Sequence, residues 1–441
     1  MLILHLSDVH FNSPLCGKPQ IDPDKPIRTL LARDIEQRIK TLGKIDAIFI
    51  GGDIAFKGAP EEYSAAKIWI DELLQLTGCT LGQVYTIPGN HDVDQEIIRK
   101  NKRIQNSLKA IVAKRGNIFD FDKEFHAQLR DSASGKDLME SISAYNDFAG
   151  RYDCQLYLPD KLSWIRDIKL DHGVTLRVHG LNSTILSGLK SVTWDKEIKG
   201  DLYLGTQQTA IDPANDIVNL VMCHHPPSWC EDADEIDELF KQRAEIHLFG
   251  HRHTQRCEQS EGFIRFSAGA VHPDRAENGW KPAYNILQLR VVDGKRAKML
   301  EVEGHLYAYS SDPEGFFPVP TKSGDYVYKQ SIVIKSPGPE TAGDEGLNYS
   351  TKSAGEISSP AMIIEEVVMS DPRTRNLISR FWELDSSDQW EICSNLAIFP
   401  EGGETLPEFE KYGRAMVNAA ERNLIKQLEI EIEKVESRND E

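Results

Sequence analysis

Gln83-Val84-Tyr85-Thr86-Ile87-Pro88-Gly89-Asn90-His91-Asp92 is the stretch whose reading decides the fold. Its first half is an apolar run that reads as a buried strand. Its second half is a polar turn at that strand's C-terminal end, where layered α/β sheets carry their chemistry. Gly89 permits a tight turn that a side chain would strain. Asn90 offers a neutral oxygen ligand, His91 a proton donor, and Asp92 a carboxylate placed to orient that imidazole. Alone, such a turn is equally an ordinary polar loop, so its meaning depends on what the other strand ends supply.

Upstream, 2–6 reads as a first strand, 26–42 as a helix with apolar residues at helical spacing, 46–50 as a second strand ending in Gly51-Gly52-Asp53, and 61–76 as the next helix. This alternation predicts a layered α/β sheet with parallel pairs. The 95–150 segment, polar with apolar positions such as Ile97, Ile104 and Leu108, reads as an inserted helical cap. Strand-like runs return at 162–168, 174–178, 217–222, 246–249, 263–267, 284–292 and 299–304. The late runs have no helices between them, which predicts antiparallel strands closing a second sheet.

Five of these strand ends carry metal-ligand residue types. They are Asp8-Val9-His10, Asp53, Asn90-His91, Cys223-His224-His225-Pro226-Pro227 and Gly250-His251-Arg252-His253. On an extended backbone residues i and i+2 face the same way, so Asp8 with His10, and His251 with His253, can reach one ion. By the same alternation Arg252 points away from it. A histidine at a strand end is usually a satisfied polar residue, and DxH occurs often by chance. Five sets in order, all at strand ends and all suited to divalent ions, are not explained that way.

The order D-x-H, GD, GNHD, HHP, GHxH resembles the calcineurin-like metallophosphoesterase superfamily over about residues 1–305, with no core motif missing. The resemblance implies a four-layered α/β/β/α sandwich with a dinuclear metal centre. It implies that Asp8, His10 and His253 bind one metal, that Asn90, His224 and His251 bind the other, and that Asp53 bridges them. His225 is set aside as a ligand, because relatives with H-x-P use the first position. His91 would protonate the leaving oxygen, or stabilise the charged transition state, after attack by a metal-bridging hydroxide, with Asp92 fixing its tautomer or serving as the N-cap of the helix that follows. Purple acid phosphatases, a branch of this superfamily, carry a tyrosine three residues after the bridging aspartate. Phe56 stands there and cannot ligate, so a ferric–phenolate centre is not expected. The N/O ligand set suits two divalent ions, Mn²⁺ first, with Fe²⁺ or Zn²⁺ as alternatives. Asn182, His225 and Arg275 are the candidate substrate contacts, and His272 is a further candidate for meeting a phosphate.

The 441 residues exceed one typical core. They divide into a catalytic domain (1–335, with 95–150 as its cap insertion), a Gly/Pro/Ser/Thr-rich flexible linker (336–360) and a separate small all-α domain (361–441). In that last domain Leu377, Ile378, Phe381 and Leu384 share a face. Trp390, Cys393 and Leu396 form another, and 409–435 makes one long amphipathic stripe. It holds 18 Asp/Glu against 9 Lys/Arg, half of the chain's net charge of −18. That charge repels polyanions and weighs against broad nucleic-acid binding. Seven scattered cysteines without a CxxC pair predict a reducing, cytoplasmic setting. No apolar run reaches the length of a membrane span, and the first residues read as a strand rather than a signal peptide.

Three functions follow. The first is a phosphodiesterase acting on a small substrate such as a cyclic nucleotide or glycerophosphodiester. The second is a metal-dependent nuclease acting on DNA or RNA. The third is a modular effector of bacterial signalling or defence, recruited to a protein partner, or assembled as a homo-oligomer, through 361–441.

Overall fold

The structure, a computed structural model, describes all residues except 159–160, 189–198, 273–280, 295–296, 336–371, 401, 403–405 and 440–441. The expected 336–360 linker and Arg275 lie outside the described residues.

The N-terminal half is β1 (Leu2–Leu6), α1 (Lys25–Leu42), β2 (Ala47–Ile50), α2 (Pro60–Thr77) and β3 (Val84–Thr86). β1, β2 and β3 pair in parallel, Leu4 opposite Ile48 and Phe49 opposite Tyr85. Every residue of these strands is buried, as parallel strands covered on both faces require. The 95–150 insertion is five helices, α3 (Gln95–Lys100), α4 (Lys102–Val112), α5 (Ile118–Arg130), α6 (Ser132–Glu140) and α7 (Ser143–Gly150). The residue capping α3 is Asp94, whose side chain accepts from the backbone N–H groups of Glu96 and Ile97. Asp92 does not serve as that cap.

The second half supplies β4 (Trp164–Lys169), β5 (Thr175–Gly180), β6 (Ile217–Cys223), α8 (Ala233–Arg243), β7 (Ile246–Phe249), β8 (Arg256–Ser260) and β9 (Phe263–Ser267). They form one six-stranded sheet in the order β4-β5-β6-β7-β9-β8. The late strands β10 (Ala283–Asp293), β11 (Lys298–Ser311), β12 (Glu314–Pro318) and β13 (Tyr328–Val333) do not close that sheet. β10 runs antiparallel to β1, with Leu4 opposite Ile286, and together with β11, β12 and β13 extends the first sheet to seven strands. The second sheet instead gains β9 in parallel with β7. One continuous apolar core spans both sheets and the inserted helices. The result is the four-layered α/β/β/α sandwich.

A separate helical region follows: α9 (Pro372–Glu383), α10 (Ser386–Asn395), α11 (Glu408–Glu421) and α12 (Ile425–Asn439). It has its own core around Ile378, Phe381, Cys393, Met416, Leu428 and Ile432. The expected single stripe over 409–435 is broken between α11 and α12, where Asn423 takes a left-handed φ of 56°. Both halves still feed the same core. Trp390 leaves its expected stripe and is 58% exposed. No helix among the described residues is long and apolar enough to cross a membrane.

Candidate metal centre

The C-terminal ends of β1, β2, β3, β6 and β7 converge, and the loops that leave β1, β2 and β7 turn through left-handed residues. Asp8, His10, Asp53, His251 and His253 all have φ between 51° and 66°. The extended i, i+2 geometry expected of the two motifs is therefore absent; left-handed turns bring the side chains together instead. Non-glycine residues in that region are strained, and such strain concentrates at functional sites. The loops also approach too closely for a side chain at two glycines. A Cβ on Gly89 would lie 2.2 Å from Asp53 Oδ1, and one on Gly250 would lie 2.2 Å from Ser7 Oγ.

Each carboxylate is anchored by one oxygen and presents the other. Asp8 Oδ2 accepts the His251 backbone N–H at 3.2 Å, while Oδ1 lies 3.2 Å from His253 Nε2 and 3.9 Å from His10 Nε2. Asp53 Oδ1 accepts the His91 backbone N–H at 2.7 Å, while Oδ2 lies 3.2 Å from His224 Nε2 and 3.9 Å from His10 Nε2. His224 Nδ1 donates to the Gly51 carbonyl at 2.7 Å, which turns Nε2 inward. Asn90 Oδ1 sits 3.2 Å from His224 Nε2, 3.1 Å from His225 Nε2 and 3.0 Å from His251 Nδ1.

These atoms fit divalent cations. Four overlapping groups have their donor atoms within 4.8 Å of one another: Asp8/His10/His253, His10/Asp53/His91, Asp8/Asp53/His224 and His224/His225/His251. Asp8 Oδ1 is buried without a well-aligned hydrogen bond. An amide oxygen has two lone pairs, yet three imidazole nitrogens crowd Asn90 Oδ1. Burial opposes ionisation of Asp8, but the His253 contact and nearby His224 outweigh it and hold the carboxyl well below the usual range. Asp53 is likewise held low, chiefly by His224 and His91 against the cost of burial. Burial pushes His10 down to about 3, leaving its lone pair free for a cation. Burial also opposes charge on His224, but Asp53 and Asp8 overcome it and raise the imidazole to about 10. The pocket's negative charge thus draws in a positive one.

His91 joins this cluster at one edge, in the group with His10 and Asp53. Its Nδ1 lies 2.8 Å from the Phe56 carbonyl, and its ring stacks on Phe56 at 5.0 Å. Asp92 does not orient it, contrary to expectation. The Asp92 carboxylate accepts from the backbone N–H groups of Ile54 at 3.3 Å, Ala55 at 2.9 Å and Gly89 at 2.8 Å, and from the Tyr63 hydroxyl at 2.8 Å. The tight 3₁₀ turn over Asn90–Asp92 sends neighbouring side chains in different directions. Asp92 therefore ties the Asp53 loop to the Gly89 turn, and burial together with Asp53 raises it to about 6.

A family model described as calcineurin-like phosphoesterase matches residues 1–255. The chain belongs to the calcineurin-like phosphoesterase family. A second model, GTPase-associated adaptor domain, matches 373–434, the helical region. No curated protein matches the chain. Similar solved structures include zinc-complexed Vps29 from Entamoeba histolytica (11% identity, 76% of this chain and 99% of that one, TM-score 0.28). They also include a predicted phosphoesterase from Streptococcus pneumoniae (10%, 75% and 97%, TM-score 0.26) and GAP50 of Plasmodium (12%, 76% and 89%, TM-score 0.35).

The expected substrate contacts of this phosphoesterase fare differently. Asn182 is wholly buried, its Oδ1 accepting from the Thr184 backbone N–H and hydroxyl, which leaves only Nδ2 unpaired. His225 is 1% exposed and joins the histidines around Asn90 rather than an open cleft. His272 is buried between the Val9 and Asp24 carbonyls, at 2.7 and 3.2 Å from its two nitrogens, so it meets no phosphate. Arg252 turns to the Ser228 hydroxyl at 2.7 Å. Sequence reasoning missed Tyr63 and Glu62. Glu62 is fully buried and accepts the backbone N–H groups of Ser13, Phe56, Lys57 and Ala59. Its position three residues after Ala59, at the start of a helix, was the available signal.

Proposed function

We propose that this chain is a dinuclear metal-dependent phosphodiesterase. In this reading Asp8, His10 and His253 hold one divalent ion, Asn90, His224 and His251 hold the other, and Asp53 serves both. Two such ions, Mn²⁺ first, would activate water as the nucleophile and neutralise phosphoryl charge. The chain's own residues do the rest. Asp8 and Asp53 are fixed in aim by the backbone N–H groups of His251 and His91. A carbonyl only accepts, so the Phe56 contact keeps a hydrogen on His91 Nδ1. The proton His91 can release is then the one on Nε2, and it passes to the leaving alkoxide.

The observation that carries this reading is the set of four overlapping donor groups at the strand ends. The test is a metal-dependent screen over cyclic nucleotides, bis-para-nitrophenyl phosphate, phosphomonoesters and nucleic acids, with Asp53→Asn as control. Hydrolysis that survives Asp53→Asn would overturn the dinuclear mechanism. Robust cleavage of DNA or RNA, abolished by His91→Ala, would put the nuclease alternative first; the net charge of −18 disfavours it.

A second reading concerns 373–434. Its own core and its likeness to a GTPase-associated adaptor domain favour recruitment to a protein partner in the cytoplasm. Light scattering separates this from self-association. A monomer mass supports recruitment, and a dimer mass that falls on truncation at Gly338 supports a homo-oligomer.

A further inference from the structure

His225 has the placement of a metal ligand rather than of a substrate contact or a spare core histidine. It is buried, and its Nε2 is 3.1 Å from Asn90 Oδ1, the same approach that His224 Nε2 and His251 Nδ1 make at 3.2 and 3.0 Å. Separations near 3 Å are those of neighbouring ligand atoms each about 2.1 Å from a shared ion. His225 Nδ1 lies 2.7 Å from Ser183 Oγ, in the loop after β5, and the His225 backbone N–H also points at that oxygen, at 3.4 Å. Such a contact on the far nitrogen is how ligating histidines are usually held in aim and tautomer. The Pro226-Pro227 pair that follows restricts the backbone on the other side.

The geometry points to His225 as an additional ligand at the Asn90 site, with Ser183 as its positioning residue. This rests on the dinuclear reading above. It makes the two sites chemically unequal. Besides the Asp53 carboxylate, which serves both, the Asn90 site presents three imidazole nitrogens and an amide oxygen, whereas the Asp8 site presents a second carboxylate and two imidazoles. Nitrogen-rich sites favour Zn²⁺ over Mn²⁺ more strongly than carboxylate-rich ones do. The first Zn²⁺ offered to the metal-stripped chain therefore enters the Asn90 site, and Mn²⁺ is retained longest at the Asp8 site.

The test uses the full chain loaded with Co²⁺. Proton NMR then shows one strongly shifted, solvent-exchangeable ring N–H for each ligating histidine. His10, His224, His251 and His253 account for the signals if the family pattern is complete; a further signal, lost in His225→Ala, is expected here. Zinc competition gives an independent readout. Ser183→Ala should weaken the first Zn²⁺ by about 10–100-fold without removing it, and His225→Ala should weaken it at least as much. No additional signal in the wild type, with zinc affinity unchanged in both variants, overturns the proposal. That failure is distinct from failure of the phosphodiesterase reading. A chain that binds two ions and hydrolyses phosphodiesters without the His225 signal refutes only the extra ligand. A chain that shows the signal but hydrolyses nothing refutes only the activity.

Discussion

His91 Nδ1 lies 2.8 Å from the carbonyl oxygen of Phe56, and the two rings stack. A carbonyl only accepts, so this contact fixes the ring's orientation and keeps a hydrogen on Nδ1. We expect His91→Ala to lower kcat by about 10²–10⁴-fold, the usual range for losing a positioned acid, with metal content unchanged by mass spectrometry. Phe56→Ala keeps the carbonyl but loses the stack, so its kcat should fall less. Full kcat in His91→Ala, on a substrate with a poor leaving group, would remove His91 from the mechanism.

Asp92 is the strut between two loops. Its carboxylate receives three backbone N–H groups and the Tyr63 hydroxyl. Tyr63→Phe removes one of these contacts and should cost about 1–2 kcal/mol. Asp92→Ala leaves three buried N–H groups without an acceptor and should cost about 3 kcal/mol or more. Both are read from urea denaturation of the metal-free chain, so that metal loss does not enter. Equal costs for the two variants would contradict this role.

The candidate ligand residues are legible because each stands at the end of a continuous apolar run, and because their residue types together suit a shared ion. Their left-handed backbone is not, since nothing at Asp8 or His253 announces a positive φ. Asp92 reads wrongly from sequence because adjacency suggests contact with His91, which a 3₁₀ turn prevents. The strands themselves are mostly visible, but their partners are not. β10 pairs with β1 across nearly the whole catalytic domain, a contact that no local pattern encodes. β8 escapes notice because Arg-Cys-Glu-Gln-Ser lies at a sheet edge, largely exposed, and carries no apolar alternation. The helical region shows itself by its 3.6-residue period, while the break at Asn423 lies between two stretches that feed one core.

Glu245 makes stability depend on pH away from the metal centre. Burial raises its carboxyl to about 7, only partly offset by the Asn219 backbone N–H that Oε2 accepts at 2.8 Å. The folded chain therefore binds the proton more tightly than the unfolded chain does. This contribution is fully present below about pH 4.5 and is lost as pH rises through about 7. Glu245→Gln stays neutral and keeps an acceptor for Asn219. It should match the wild type near pH 4 and exceed it at pH 8 by on the order of 1–2 kcal/mol, allowing for partial exposure. Urea unfolding at the two pH values checks this; an equal difference at both would reject it.

The helical region rests on the catalytic domain through α7. Arg151, just past that helix, pairs with Asp71 at 3.0 Å and with Glu383 at the end of α9. The Trp382 ring packs so closely on Gly150 that a Cβ there would meet it at 3.3 Å, and Arg414 Nη2 reaches the Leu158 carbonyl at 3.4 Å. Glu383 is partly exposed, so reversing its charge should weaken docking by only about 1 kcal/mol. Trp382→Ala removes an aromatic anchor and should cost about 2 kcal/mol or more. The double variant Trp382→Ala/Glu383→Arg should therefore release the helical region. Small-angle scattering should show a larger radius of gyration, and hydrogen exchange in α7 should quicken, while zinc affinity stays as in the wild type. An unchanged radius together with unchanged exchange in α7 would mean that other contacts hold the two parts together.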